Sequence, residues 1–123
     1  MSAAAPDAPQ IRVLIVDDHP ILREGVAAIV ALQSDMAIVG EAIAQYAVLR
    51  PDVVLMDLQM PDLSGVEAIA AIRAEHPDAR VIVLTTYAGD AKALAAMRAG
   101  AAGFLLKSSL RRELLGAIRA VHR

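Results

Sequence analysis

The sequence predicts an α/β fold built on a parallel sheet, and three observations carry that prediction. Short apolar runs alternate with helical patterns along the chain. Four of those runs stop on a polar or charged residue: Arg12–Val16 at Asp17-Asp18, Val53–Met56 at Asp57, Val81–Leu84 at Thr85-Thr86, and Phe104–Leu106 at Lys107. Apolar residues make up 57 % of the chain, much of it alanine, which suits closely packed helices. In an open parallel sheet the C-terminal ends of the strands share one edge, and ligands bind there where the strand order reverses.

The elements follow in order. After the first run, Pro20 opens a helical segment to about Leu32, with Ile21, Leu22, Val26, Ile29 and Val30 along one face. Met36 to Glu41 reads as a second, short strand, and Val53 to Met56 as the third. Asp57 then opens the turn Leu58-Gln59-Met60-Pro61. Ser64 to His76 is predicted helical, with Val66, Ile69 and Ile72 inward and Pro77 as its stop. The run Val81–Leu84 is the fourth strand. Asp90 to Arg98 is an alanine-rich helix ended by Gly100. Phe104 to Leu106 is the fifth strand. Leu110 to Val121 is an amphipathic last helix through Leu110, Leu114, Leu115, Ile118 and Val121. Residues 1–10 are expected to be a disordered tail and 11–123 one domain, with no internal repeat or linker.

One connection breaks the pattern. Nine residues, Ala42 to Arg50, lie between Glu41 and Pro51. Parallel crossovers normally take a dozen or more. A return along a strand of ~5 residues covers ~17 Å, with ~10 Å sideways and ~10 Å between layers. Nine residues span ~30 Å extended but only ~13 Å as helix. The link therefore closes only if mostly extended, with one or two helical turns at most. A real shortening, a segment exchanged between chains, or a stretch missing where the numbering runs on would each satisfy this, and the last two together are the expectation.

Composition bounds the function. A chain of 123 residues is one domain, long enough for a core of its own. Aromatics at 2 % give little stacking surface for bases. A formal charge of −2 and a pI near 5.8 argue against a nucleic-acid surface in this chain. The absence of cysteine excludes disulfides and thiolate metal sites. Met1 to Pro9 lacks the basic and apolar regions of a signal peptide, and no apolar stretch approaches the ~20 residues that span a bilayer. A cytoplasmic domain without membrane contact is expected.

The strand ends carry the chemistry. Asp17 and Asp18 stand between a strand and a helix, where turn and capping acids are common. With Asp57 from a neighbouring strand they form a cluster of three carboxylates whose mutual repulsion destabilises the fold unless a cation neutralises it. Mg²⁺, held by one or two carboxylates plus waters and phosphate oxygens, is the cation that suits them. A carboxylate such as Asp57 can act as a nucleophile and form an aspartyl phosphate, with Mg²⁺ neutralising charge on the transferring group. Lys107 could pair with a phosphate oxygen, or merely snorkel at the sheet edge. Thr85 could hydrogen-bond the phosphoryl group, or serve as a turn hydroxyl. The common placement of all five at strand ends favours the functional reading. His19, His76 and His122 sit in unrelated contexts and are expected at the surface rather than as ligands or a base. Gly25, Gly40, Gly65, Gly100 and Gly103 form no phosphate-cradling loop.

Val-Asp-Asp-His-Pro (16–20), Val-Val-Leu-Met-Asp-Leu-Gln-Met-Pro (53–61) with Gly65, Val-Leu-Thr-Thr (83–86) and Gly-Phe-Leu-Leu-Lys (103–107) together resemble the response-regulator receiver domain of two-component signalling. The opening and closing motifs resemble the branch whose full-length members carry a C-terminal LuxR-type helix-turn-helix. The likeness implies a doubly wound, flavodoxin-like sheet of five strands in the order 2-1-3-4-5. It implies phosphorylation of Asp57 by a histidine kinase, and Mg²⁺ held by Asp17 through water, Asp18, Asp57 and the Gln59 backbone carbonyl. Thr85 and Phe104 correspond to the switch hydroxyl and switch aromatic, and Lys107 to the phosphate-pairing lysine. Two departures stand out: roughly ten residues of the usual second crossover are missing, and Ser108 replaces a common proline.

The function implied is a phosphoryl-accepting switch, not an enzyme beyond slow self-dephosphorylation. Phosphate on Asp57 would draw Thr85 and let Phe104 move inward, reshaping the surface of the fourth helix, fifth strand and fifth helix. DNA enters only through an output domain outside the chain. A homodimer on the last-helix face is the other partnership. A phosphatase with an aspartate nucleophile is disfavoured, because such enzymes place a second acid two residues on, where Gln59 stands. A receiver-like binding module that is not phosphorylated is the remaining alternative, supported by the shortened crossover.

Overall fold

The computed structural model describes residues 10–40, 46–60, 64–87 and 89–123. The tail expected over residues 1–10 thus lies, apart from Gln10, outside the described residues. Among the described residues eleven elements follow one another: β1 Ile11–Val16, α1 Pro20–Ala31, β2 Met36–Gly40, α2 Tyr46–Leu49, β3 Val53–Asp57, α3 Gly65–Glu75, β4 Val81–Thr85, α4 Ala91–Arg98, β5 Gly103–Leu106, a 3₁₀ turn Lys107–Ser109, and α5 Leu110–His122. The five strands form one parallel sheet in the order β2-β1-β3-β4-β5. The predicted fold class is therefore the observed one.

Strand periodicity divides the core into two layers, because successive side chains point to opposite faces. Leu14, Val16, Val54, Met56, Val81 and Val83 face Tyr46, Ala68, Ile69, Ile72, Ala93 and Ala96 of α2, α3 and α4. Their neighbours Val13, Ile15, Val53, Leu55, Ile82, Leu84 and Leu105 face Val26 and Val30 of α1 and Leu114 and Ile118 of α5. Each fully buried Leu or Ile contributes about 1.5–3 kcal/mol of transfer free energy. Ser64 caps α3 by accepting the Glu67 amide at 3.2 Å, and Asp90 caps α4 by accepting the Lys92 amide at 2.8 Å. Gly100, at φ 117°, turns the chain out of α4 in a conformation that side chains disfavour.

Of the crossover between β2 and β3, the second half, from Tyr46 onward, lies within the described residues. Residues 41–45 lie outside the described residues, but the second half is fastened to its own chain. One helical turn, Tyr46–Leu49, closes with the Arg50 amide donating to Tyr46 O at 2.8 Å. Arg50 then takes a left-handed φ of 45° and turns the chain toward β3. Arg12 of β1 grips this segment: its guanidinium donates to Leu49 O at 2.7 Å, its amide donates to Asp52 Oδ2 at 2.8 Å, and its carbonyl accepts the Asp52 amide at 2.7 Å. Tyr46 is buried against the sheet and tilts against the His76 ring at 4.9 Å.

At the far side, Arg119 of α5 forms a bidentate pair with Asp35, at 2.8 and 3.0 Å, and also donates to Gln33 at 3.0 Å. The Arg119 hydrogen bond holds the Asp35 carboxyl below its ordinary value. A depressed carboxylate contributes stability above its unfolded-chain value, and loses it as the pH falls through the folded one. The urea midpoint of wild type should therefore exceed that of Asp35→Asn near neutrality, with the gap closing below about pH 4.

Candidate functional site

The site forms at the C-terminal edge of the central strands. The register pairs Val16 with Met56, and Asp57 with Leu84, so Asp17 leaves β1 directly beside the end of β3. Asp17 and Asp57 are both buried there, while Asp18 is partly exposed at the mouth. Lys107 leaves β5 and extends across the edge, placing Nζ 3.0 Å from Asp57 Oδ1 and 3.6 Å from Asp17 Oδ2. Asp57 Oδ1 also accepts the Gln59 amide at 3.1 Å. Asp17 Oδ1 accepts the His19 amide at 2.8 Å. The Asp17 carbonyl accepts the Arg23 guanidinium at 2.7 Å.

Two carboxylate oxygens, Asp17 Oδ2 and Asp57 Oδ2, are buried without a hydrogen-bond partner among the described residues. Buried polar atoms are normally satisfied, and charged ones cost most when they are not. Three carboxylates face the single ammonium of Lys107. A set of hard oxygen donors with uncommitted lone pairs fits a hard divalent cation such as Mg²⁺. Asp17, Asp18, His19 and Asp57 each offer a ligand atom, all within 4.8 Å of one another.

Of the residues singled out in the sequence, Asp17, Asp18, Asp57 and Lys107 are brought together. Thr85, though buried at the end of β4, directs its hydroxyl to Asp90 Oδ2 at 3.2 Å and Tyr87 O at 3.4 Å. Phe104 is 45 % exposed and stands outward. The Gln59 side chain donates to Thr86 Oγ1 at 3.3 Å. His19, expected to lie apart from the site, instead joins it: Nδ1 is 2.7 Å from Asp17 Oδ1 and 3.2 Å from Asp18 Oδ1. Its position next to the two acids was the available signal.

Gly65 keeps the third wall close. A Cβ there would meet Leu58 Cδ2 at 2.7 Å and Asp57 O at 3.0 Å. The leucine tip can swing away, but the Asp57 carbonyl moves only with the strand end that carries the site. Gly65→Ala is expected to destabilise by about 1–2 kcal/mol in urea melts despite the better helix propensity of alanine. It should also weaken Mg²⁺ binding.

A protein-family model described as the response regulator receiver domain matches residues 13–119. The chain is 42 % identical, across 93 % of its length, to the uncharacterized transcriptional regulatory protein YxjL of Bacillus subtilis. It is 38 % identical, across 92 %, to the response regulator protein VraR of Staphylococcus aureus. It covers only 55 % of the first relative and 57 % of the second, so it spans little more than half the length of either. A two-component response regulator of the LuxR family from Aurantimonas, solved by crystallography, is 39 % identical and superposes with a TM-score of 0.85 over 92 % of this chain and 85 % of that one.

Proposed function

The chain belongs to the response regulator receiver domain family, and on that premise we propose that it is a phosphoryl-accepting switch whose acceptor is Asp57. One observation carries the proposal: a wholly buried Asp57 has Oδ1 anchored by Lys107 and the Gln59 amide while Oδ2 keeps its lone pairs uncommitted. A carboxylate held in that way is a positioned nucleophile. Its oxygen attacks the phosphorus of a phosphohistidine on a histidine kinase; the O–P bond forms, the N–P bond breaks, and the imidazole departs with the electron pair. Lys107 remains beside the new acyl phosphate and offsets its charge. Asp18 and Asp57, Asp17 through water, and the Gln59 backbone carbonyl would hold Mg²⁺. When bound, that ion neutralises charge on the transferring group.

The kinase would approach over the groove between α1 and α5. That groove has a volume of about 670 Å³ and is lined by His19, Ile21, Leu22, Gln59, Lys107 and Arg111 among others. Ile21 is 85 % exposed at its rim, an apolar anchor for a docking helix.

The response is a competition for one hydroxyl. A phosphoryl group on Asp57 draws Thr85 Oγ1 away from Asp90, loosening the cap of α4, and the space vacated admits Phe104. The surface of α4, β5 and α5 changes with it and regulates a DNA-binding output domain outside these 123 residues. A homodimer on the α5 face, with half-buried Leu115 and Val121 at its rim, is the second proposed partnership. A cytoplasmic location follows from the proposed kinase and DNA partners; among the described residues no helix is long and apolar enough to cross a membrane.

The test is direct. A small acyl-phosphate donor with Mg²⁺ should add one phosphoryl mass to the chain, and removal of Mg²⁺ by a chelator should prevent it. An unchanged mass would reject the switch in favour of a binding module that is not phosphorylated. Turnover of a generic phosphate ester would instead indicate a phosphatase, which Gln59 in place of an acid disfavours.

A further inference from the structure

We propose that His19 is a protein ligand of the cation site, so that the site takes a borderline transition ion of the Co²⁺ or Zn²⁺ class through nitrogen as well as oxygen. The inference rests on the cation site proposed above and assigns it a further donor. The local chain creates the arrangement. Asp17 Oδ1 accepts the His19 amide at 2.8 Å, which turns the backbone just after β1. Pro20, the first residue of α1, fixes the chain on the other side. The imidazole is thereby folded back over the acids, with Nδ1 at 2.7 Å from Asp17 Oδ1, 3.2 Å from Asp18 Oδ1 and 3.7 Å from Asp57 Oδ2.

A hydrogen bond to Asp17 accounts for the shortest of these contacts, but one N–H does not draw in three carboxylates from two strands. Ligands at right angles around an ion with bonds of ~2.1 Å stand ~3.0 Å apart, and opposite ligands ~4.2 Å. The three contacts bracket the first value. Independently of the histidine, Asp17 Oδ2 and Asp57 Oδ2 are buried without hydrogen-bond partners among the described residues. The second of these is the oxygen that Nδ1 approaches at 3.7 Å.

Carboxylate and water oxygens suit Mg²⁺, whereas imidazole suits Zn²⁺, Cu²⁺ and Ni²⁺. Adding one imidazole to three carboxylates moves the site toward the second group without losing the first. Lys107 pairs with Asp57 Oδ1 at 3.0 Å and approaches Asp17 Oδ2 at 3.6 Å, whereas the histidine faces Asp57 Oδ2.

The test uses the whole chain, loaded in turn with Mg²⁺, Co²⁺ and Mn²⁺. Pulsed electron paramagnetic resonance on the Mn²⁺ form should show a ¹⁴N coupling that disappears in His19→Ala, with circular dichroism confirming that the variant is folded. Titration should show the preference for Co²⁺ over Mg²⁺ falling about tenfold in the variant, with Mg²⁺ affinity nearly unchanged. Bound Mn²⁺ without nitrogen coupling in the wild type, or an equal loss for both ions, would overturn the assignment of His19 and leave the cation site standing. Failure of all three ions to bind would overturn the cation site itself, and this ligand with it.

Discussion

Asp57→Asn is expected to take up no phosphoryl group under conditions that phosphorylate the wild type. An amide oxygen is a far weaker nucleophile than a carboxylate, so the loss should exceed ~10³-fold and fall below detection by intact mass. The substitution is nearly isosteric. Asn can still accept from the Gln59 amide and from Lys107, the two donors that anchor Asp57 Oδ1. The fold should therefore survive, and the result will report on chemistry rather than on collapse. Stability supplies a second readout. Removing one of three crowded carboxylates relieves repulsion that Lys107 offsets in part, so in a chelator the variant should be as stable as the wild type or about 1 kcal/mol more so. Added Mg²⁺ should raise the urea midpoint of the wild type and leave that of the variant nearly unmoved. Phosphoryl uptake by Asp57→Asn at the wild-type rate would place the acceptor elsewhere.

Tyr46→Ala should be the most damaging single change in the second crossover, lowering the unfolding free energy by about 3–5 kcal/mol. A domain of this size has only ~5–15 kcal/mol in all. The reason is the shortness of α2, which has four residues and turns one large apolar side chain into the core. Tyr46 packs on the layer that includes Leu14, Val54 and Met56, and truncation opens a cavity there that one helical turn is too short to close. Tyr46→Phe keeps the ring and should cost less than about 1 kcal/mol. Urea melts of the two variants separate the cases: equal small losses would mean that the crossover contributes little to the core. A loss confined to the alanine variant would show that this one aromatic residue does the work of a longer helix.

The expectations that held and those that failed differ in kind. Strand runs such as Val53–Met56 and Val81–Leu84 were legible because a continuous apolar stretch bounded by polar residues is a local pattern. The order of the strands followed from the family resemblance and not from periodicity. The meeting of Asp17, Asp18, Asp57 and Lys107 was legible because parallel strands carry their C-terminal ends to one edge. The second half of the crossover was not legible, because its fastening depends on contacts that no local window contains. Arg12 reaches Leu49 and Asp52 across 37 and 40 residues. His19 was set aside for a related reason. Its sequence neighbours are visible, but the turn that folds the ring over Asp17 and toward Asp57 exists only once β1 and β3 are paired.

The amino-acid order alone thus determined which segments are strands and helices and which polar groups end the strands. Tertiary structure alone decided that Arg12 fastens the second half of the β2–β3 crossover, that Thr85 bonds Asp90, and that two carboxylate oxygens are buried without a hydrogen-bond partner among the described residues. The division is physical. Hydrophobic period and capping act over a few residues and are written along the chain. Hydrogen-bond partners and burial depend on register and layer packing, which join groups far apart in the sequence.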